Sequence, residues 1–175
     1  MTALYSSTER ALTRDEAVRL SAAIRKTPNI LGYPPKELQG FPDCLIATLE
    51  DGTFAGVCLT KHLAGVWSEI AVVYVFPEFR GQGIGTALFQ AGFRKLQSAD
   101  QRILCISREP IILRRMEAAG MRYISAWRLP FSIHVVKFWY MQSVYRQCEA
   151  FRKIAVFRGQ PAFRTAVTLP QNESR

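Results

Sequence analysis

The order of apolar and polar positions predicts helices and strands alternating along most of the chain. Ala17, Leu20, Ser21 and Ile24 recur at helical spacing, and Thr13 or Asp15 ahead of them offers a capping oxygen, so a first helix is predicted up to Pro28. Gly32-Tyr33-Pro34-Pro35 forces a loop, with a short helical turn at Lys36–Gln39. Cys44–Leu49 and Phe54–Thr60 read as strands and flank Asp51-Gly52, a turn dipeptide that favours a hairpin. Ser68–Val75 is predicted as the next strand, followed by a glycine-rich loop and a helix to about Gln97. Arg102–Ser107 predicts a short buried strand. Pro110 then opens a helix in the first-turn position that proline tolerates, and Gly120 closes it. Arg122–Leu129 predicts another strand. Val135, Phe138, Trp139, Met141, Tyr145 and Phe151 predict one further helix within Ile133–Lys153, and weak alternation suggests a final strand over Phe163–Leu169.

The loop Arg80-Gly81-Gln82-Gly83-Ile84-Gly85 is where the pattern turns into chemistry, because a β-branched strand precedes it and a helix follows. The first turn of a helix leaves backbone N–H groups unpaired, and its dipole favours an anion there. Glycines let the backbone approach a phosphate without a Cβ in the way, and Arg80 adds a fixed positive charge. Two rival phosphate loops fail on spacing. A dinucleotide fingerprint would need glycine or alanine where Thr86 or Leu88 stands, and no Gly-Lys-Ser/Thr follows as a P-loop requires.

From Val73 to Gly85 the chain reads Val-x-Val-x-Pro-x-x-Arg-Gly-x-Gly-Ile-Gly. This resembles the acetyl-CoA-binding motif of the GNAT N-acetyltransferase superfamily, whose core is Gln/Arg-x-x-Gly-x-Gly/Ala. The order of predicted elements agrees with that fold to about residue 129. The resemblance implies an α/β (α+β) fold with a mixed, mostly antiparallel central sheet and helices on both faces. It implies one domain over 1–175, with a core to about 129 and a helix-and-strand extension over about 130–170. Acetyl-CoA is the implied co-substrate. By resemblance its pantetheine arm pairs with the backbone of Val73, Tyr74 and Val75, where a main-chain N–H also polarises the acetyl carbonyl. Its pyrophosphate would lie on the backbone of Arg80, Gly81, Gln82, Gly83, Ile84, Gly85 and Thr86.

The implied reaction is direct acetyl transfer to a primary amine, which needs a base, an oxyanion donor and an exit for the thiolate. Glu69 opens the strand, where histone-acetylating members of the superfamily carry their base. In an uninterrupted strand it shares a face with Ala71, Val73 and Val75, a facing that a bulge would change; a solvated strand-edge role is the alternative. The tyrosine that serves many members as general acid is replaced by Met116, with Glu109 and Ile112 at the motif's asparagine and alanine positions. Either thiolate leaves directly to water or another group serves, Tyr123 and Tyr74 being candidates. A non-catalytic acyl-CoA-binding module is therefore the alternative to an enzyme.

Charge and cysteine usage narrow the partners. Residues 101–175 hold 13 Lys+Arg against 4 Asp+Glu, so the whole formal charge of +9 lies beyond the glycine loop. Such a half suits an acidic cofactor, a nucleic acid or an anionic protein surface, or is simply a solvated face; with no nucleic-acid motif, that partner ranks last. Cysteines at 44, 58, 105 and 148 lack metal-ligand spacing. They read as reduced, mostly buried thiols in a cytoplasmic protein without a metal, and Cys105 as no nucleophile. His62 and His134 belong to no nucleophile arrangement. No signal-peptide pattern is present, and Phe131–Tyr145 is too short and too polar to span a bilayer. The acceptor is expected to be a small-molecule, peptide or protein amine. The predicted extra helix either covers the sheet, roofs the acceptor or forms a homodimer interface.

Overall fold

The structure is a computed structural model that describes residues 5–157 and 159–168. Helix α1 (Arg14–Arg25) begins where a capping box sets it: the Glu16 N–H donates to the Thr13 hydroxyl, and the Thr13 N–H donates to the Glu16 carboxylate. A short helix, α2 (Pro35–Gln39), follows the proline pair. Strands β2 (Cys44–Leu49) and β3 (Phe54–Ala64) form the predicted hairpin, with Gly52 at φ +83° in its turn. Then come β4 (Trp67–Val75), α3 (Ile84–Ser98), β5 (Arg102–Ser107) and α4 (Pro110–Ala118). Gly120, at φ +71°, turns the chain just past α4.

Three stretches differ from the sequence reading. A strand, β1 (Tyr5–Arg10), precedes α1 and pairs antiparallel with β2. Its four central residues, Ser6 to Glu9, are exposed, so backbone pairing rather than an apolar pattern defines it. The strand expected over Arg122–Leu129 shortens to β6 (Arg122–Ile124) and gives way to a 3₁₀ turn at Ala126–Arg128. The single helix expected within Ile133–Lys153 is two, α5 (Phe131–Met141) and α6 (Val144–Val156), broken at Gln142-Ser143. The last strand, β7, covers Arg164–Val167; Leu169, its predicted end, lies outside the described residues.

The seven strands form one sheet in the order β1-β2-β3-β4-β5-β7-β6. Only β4 and β5 run parallel; every other neighbouring pair is antiparallel. β7 therefore enters between β5 and β6, after the chain has made two helices. On one face, Leu20 and Ile24 of α1 and Leu38 of α2 pack with Ile46, Val57, Leu59, Val72 and Tyr74. On that face too, Ile133 of α5 joins Leu104, Leu129 and Val167. The other face packs Ile84, Leu88, Phe89 and Leu96 of α3 and Met116 of α4 on Ala47, Cys58, Ile70 and Cys105. Fully burying each such aliphatic or aromatic side chain stabilises by about 1.5–3 kcal/mol, which is what holds the two helical layers on the sheet.

Candidate active site

The site begins with a misfit in strand register. Leu59 of β3 lies opposite Val72, but Thr60 lies opposite Ile70, so Ala71 is an extra residue on β4. Ile70 and Val72, two apart, consequently face opposite sides of the sheet, Ile70 towards α3 and Val72 towards α1. The bulge coincides with the end of pairing between β4 and β5, whose register stops at Ile70↔Cys105. Beyond that point β5 pairs with β7, and among the described residues the edge of β4 from Ala71 to Val75 has no strand partner there. Its N–H and C=O groups on that side open into a cleft of about 990 Å³.

Residues 70–75 of β4, Phe76 just after it and 105–107 of β5 wall the cleft, and Ala22 and Ala23 of α1 with residues 26–30 after it close one side. The glycine loop forms its mouth. Gly81 and Gly83 have φ of +81° and +82°, the left-handed conformation that glycine adopts without strain, and a Cβ on either would meet nothing within 4 Å. Gly83 caps α3 with no side-chain bond, leaving the first N–H groups of the helix to a ligand. Gly85 does different work: its Cα face lies close to Val75, a Cβ there falling 3.4 Å from Val75 Cγ2, so α3 sits tight on β4. Arg80 donates from Nε to the Val75 carbonyl oxygen at 3.1 Å and lies 5.8 Å from the Tyr74 ring. Of the candidate cofactor contacts, Val73, Tyr74, Val75, Arg80, Gly81, Gly83, Ile84, Gly85 and Thr86 line the cleft. Gln82 does not; its Oε1 is buried without a hydrogen-bond partner among the described residues.

Three cations, Arg19, Lys26 and Arg80, and one carboxylate, Glu109, stand among the lining residues described. Sequence reasoning missed Arg19 and Lys26, which carry no motif and reach the cleft only because α1 lies over the β4 edge. Glu109 accepts a hydrogen bond from Asn29 Nδ2, and Arg108 Nε donates to Asn29 Oδ1 at 3.1 Å, tying the loop after α1 to the end of β5.

Glu69 stands on the other side of the bulge. It is directly opposite Lys61 on β3 and Leu104 on β5, and Leu104 packs with α5. It therefore shares the face of Val72 and Tyr74, and the facing expected for an uninterrupted strand, with Val73 and Val75, does not hold. Lys137 of α5 donates to Glu69 Oε1 at 2.8 Å, and the pair is largely covered. Glu69 is not a lining residue of the cleft. Around it, burial lowers the Lys61 ammonium to about 8, with the Arg146 charge adding to the effect. Lys61 Nζ lies 2.9 Å from the centre of the Tyr140 ring.

Of the two tyrosine candidates for the acid, Tyr74 lines the cleft and Tyr123 does not. Tyr123 is exposed and donates to the Leu113 carbonyl and the Glu117 carboxylate, away from the cleft. Tyr74 is buried, and burial raises its hydroxyl above the ordinary tyrosine range. Met116 is fully buried in the α3–α4 core, a packing residue with no proton to give. Cys44, Cys58 and Cys105 are buried, and burial pushes the thiols of Cys44 and Cys58 up to about 11 and about 12, which keeps them protonated and unreactive. No helix among the described residues is long and apolar enough to cross a membrane.

Known structures share this architecture at low sequence identity. The N-acetylglutamate synthase from Neisseria gonorrhoeae, complexed with coenzyme A and N-acetyl-glutamate, superposes with a TM-score of 0.67 at 18% identity, over 95% of this chain. This chain spans only 35% of that protein's length. Rv2747 from Mycobacterium tuberculosis, in complex with CoA, gives a TM-score of 0.68 at 13% identity, over 93% of this chain and 99% of that one. The yncA protein from Salmonella typhimurium, with acetyl-CoA, gives 0.55 at 14% identity, over 69% and 82%. No curated protein matches the chain in sequence. A model of the acetyltransferase (GNAT) family matches residues 9–107, more than half of the chain and all of the cleft-bearing strands, and this chain belongs to that family.

Proposed function

We propose that this protein is an acetyl-CoA-dependent N-acetyltransferase that passes the acetyl group directly to a primary amine. The observation that carries the reading is the continuous cleft from the open N-terminus of α3 to the bulge in β4, with cations at its mouth and unpaired backbone along its wall. Acetyl-CoA supplies the thioester. The N–H groups at the start of α3 and the Arg80 guanidinium suit its pyrophosphate, and Arg19 and Lys26 add attraction for its charge. The free edge of Val73–Val75 suits the amide groups of the arm, and a main-chain N–H of this stretch is the proposed donor to the developing oxyanion.

The amine must lose a proton as it attacks. Glu69 is the proposed acceptor, two residues from the bulge and held in orientation by Lys137. Glu109 is the alternative carboxylate, favoured by its place in the cleft lining. Acetyl-CoA turnover against a panel of amines, followed by thiol release, tests the whole reading: turnover with any amine supports transfer. Tight CoA binding without turnover would favour a non-catalytic binding module, the reading to which the buried Met116 lends weight.

A further inference from the structure

Helix α6 presents its faces in the reverse of the order expected for a surface helix. Its buried positions are Arg146, Glu149 and Lys153, whereas Val144, Phe151, Ile154 and Val156 are 61–75% exposed. The inversion is held in place by specific bonds. Arg146 pairs with Glu37 and stacks over Tyr33 and Tyr140, its guanidinium carbon 4.3 and 3.6 Å from the ring centres. Glu149 takes Arg152 at 2.8 Å and Arg25 at 3.2 Å. Lys153 Nζ donates to the carbonyls of Ile24 and Thr27 at 2.8 and 2.6 Å, satisfying the end of α1. Rolling α6 over to hide its apolar stripe would break all three anchors and strand their charges.

Helix α5 shows the same outward character. Phe131, Phe138 and Trp139 are 82, 62 and 71% exposed, and Trp127 just before the helix is 90% exposed. Every charged residue of the two helices is buried or half-buried, so the outward stripes are charge-free. An aromatic side chain carries on the order of 200 Å², so Phe131, Phe138, Trp139 and Phe151 alone leave roughly 600 Å² of apolar surface, the upper end of the largest patch on a typical monomer. With Trp127 and the aliphatic residues the total comes to roughly 1,000 Å², more than the ~800 Å² each partner gives to a standard interface.

We infer that the outward face of α5 and α6 is the interface of a homodimer in which the same stripe meets its own copy. A two-fold interface must be complementary to itself, which an apolar, charge-free surface is and a basic or acidic one is not. A nucleic acid or an anionic bilayer would need exposed Lys or Arg on this face, and among the described residues of α5 and α6 there is none. Cys148, on the stripe between Val144 and Phe151, is the one exposed cysteine and serves as a native probe.

Sedimentation equilibrium of the full chain at micromolar concentration should give twice the 19.8 kDa chain mass. Phe138→Glu and Phe151→Glu, each placing a charge at an exposed position, should each give a single chain mass with unchanged circular dichroism. Cys148 should react slowly with a maleimide in the parent and at least ten-fold faster in either variant. A parent of any mass other than two chains overturns the inference. So do variants that remain dimeric, or a parent that is monomeric and sediments with anionic lipid vesicles.

Discussion

Gly83 joins backbone conformation to ligand chemistry in a single residue. With φ at +82° and open space where a Cβ would go, Gly83→Ala brings only the strain of a left-handed alanine, about 1–2 kcal/mol. Gly83→Asp adds a carboxylate at the mouth where phosphates would lie. Calorimetry should show CoA affinity largely abolished in Gly83→Asp and retained in good part in Gly83→Ala; equal affinity in both would place the phosphates elsewhere. For the base, Glu69→Gln should lower kcat by about 100- to 10,000-fold at neutral pH with CoA affinity unchanged, and Glu109→Gln should not. Partial recovery of Glu69→Gln at high pH, where more amine is already neutral, is part of the same expectation; the reverse ranking of the two variants would move the role to Glu109. The glycine loop was readable in the sequence because a phosphate demands small residues and a cation at set spacing. The facing of Glu69 was not, because the bulge at Ala71 has neither glycine nor proline to mark it and arises from a register shift against β3.

Helix α3 approaches the sheet through a missing side chain. A Cβ on Gly92 would lie 2.7 Å from Cys58 Sγ, well inside contact distance, so Gly92→Ala must lift the helix from β3. Overpacking of this kind costs about 1–3 kcal/mol, to be read as a lower urea midpoint with an unchanged slope. Because α3 also carries the anion end of the cleft, CoA affinity should fall with it. At the level of elements, the strongly punctuated segments were legible: the Thr13 cap, the Asp51-Gly52 turn and the Pro110–Gly120 helix stand where their end residues put them. β1 escaped because a polar edge strand exposes both faces and leaves no alternation. The α5–α6 break escaped because Gln142-Ser143 is no helix breaker. The inverted α6 escaped because periodicity reports which residues share a face, not which face turns inward.

Two paired carboxylates, one local and one joining α6 to α1, shape the molecule's response to acid. A hydrogen bond from Arg10 holds Glu16 below its ordinary value of 4.5, and one from Arg152 does the same for Glu149, which ties α6 to α1. Both bind a proton less readily folded than unfolded. Their contribution is therefore complete above about pH 4.5 and is lost as pH falls through their lower folded values. Urea midpoints measured from pH 6 downward should hold level and then drop below about pH 4.5, and Glu149→Gln should flatten part of that drop. A different consequence follows from the place of β7. Ile103 and Thr168, 65 residues apart, are hydrogen-bonded, and β7 supplies the neighbour of both β5 and β6. On a ribosome, then, the wall of the cleft is made early but stands beside an empty slot until residues 164–167 emerge. During that interval two bare strand edges are open to other chains, and chaperone demand should be concentrated there.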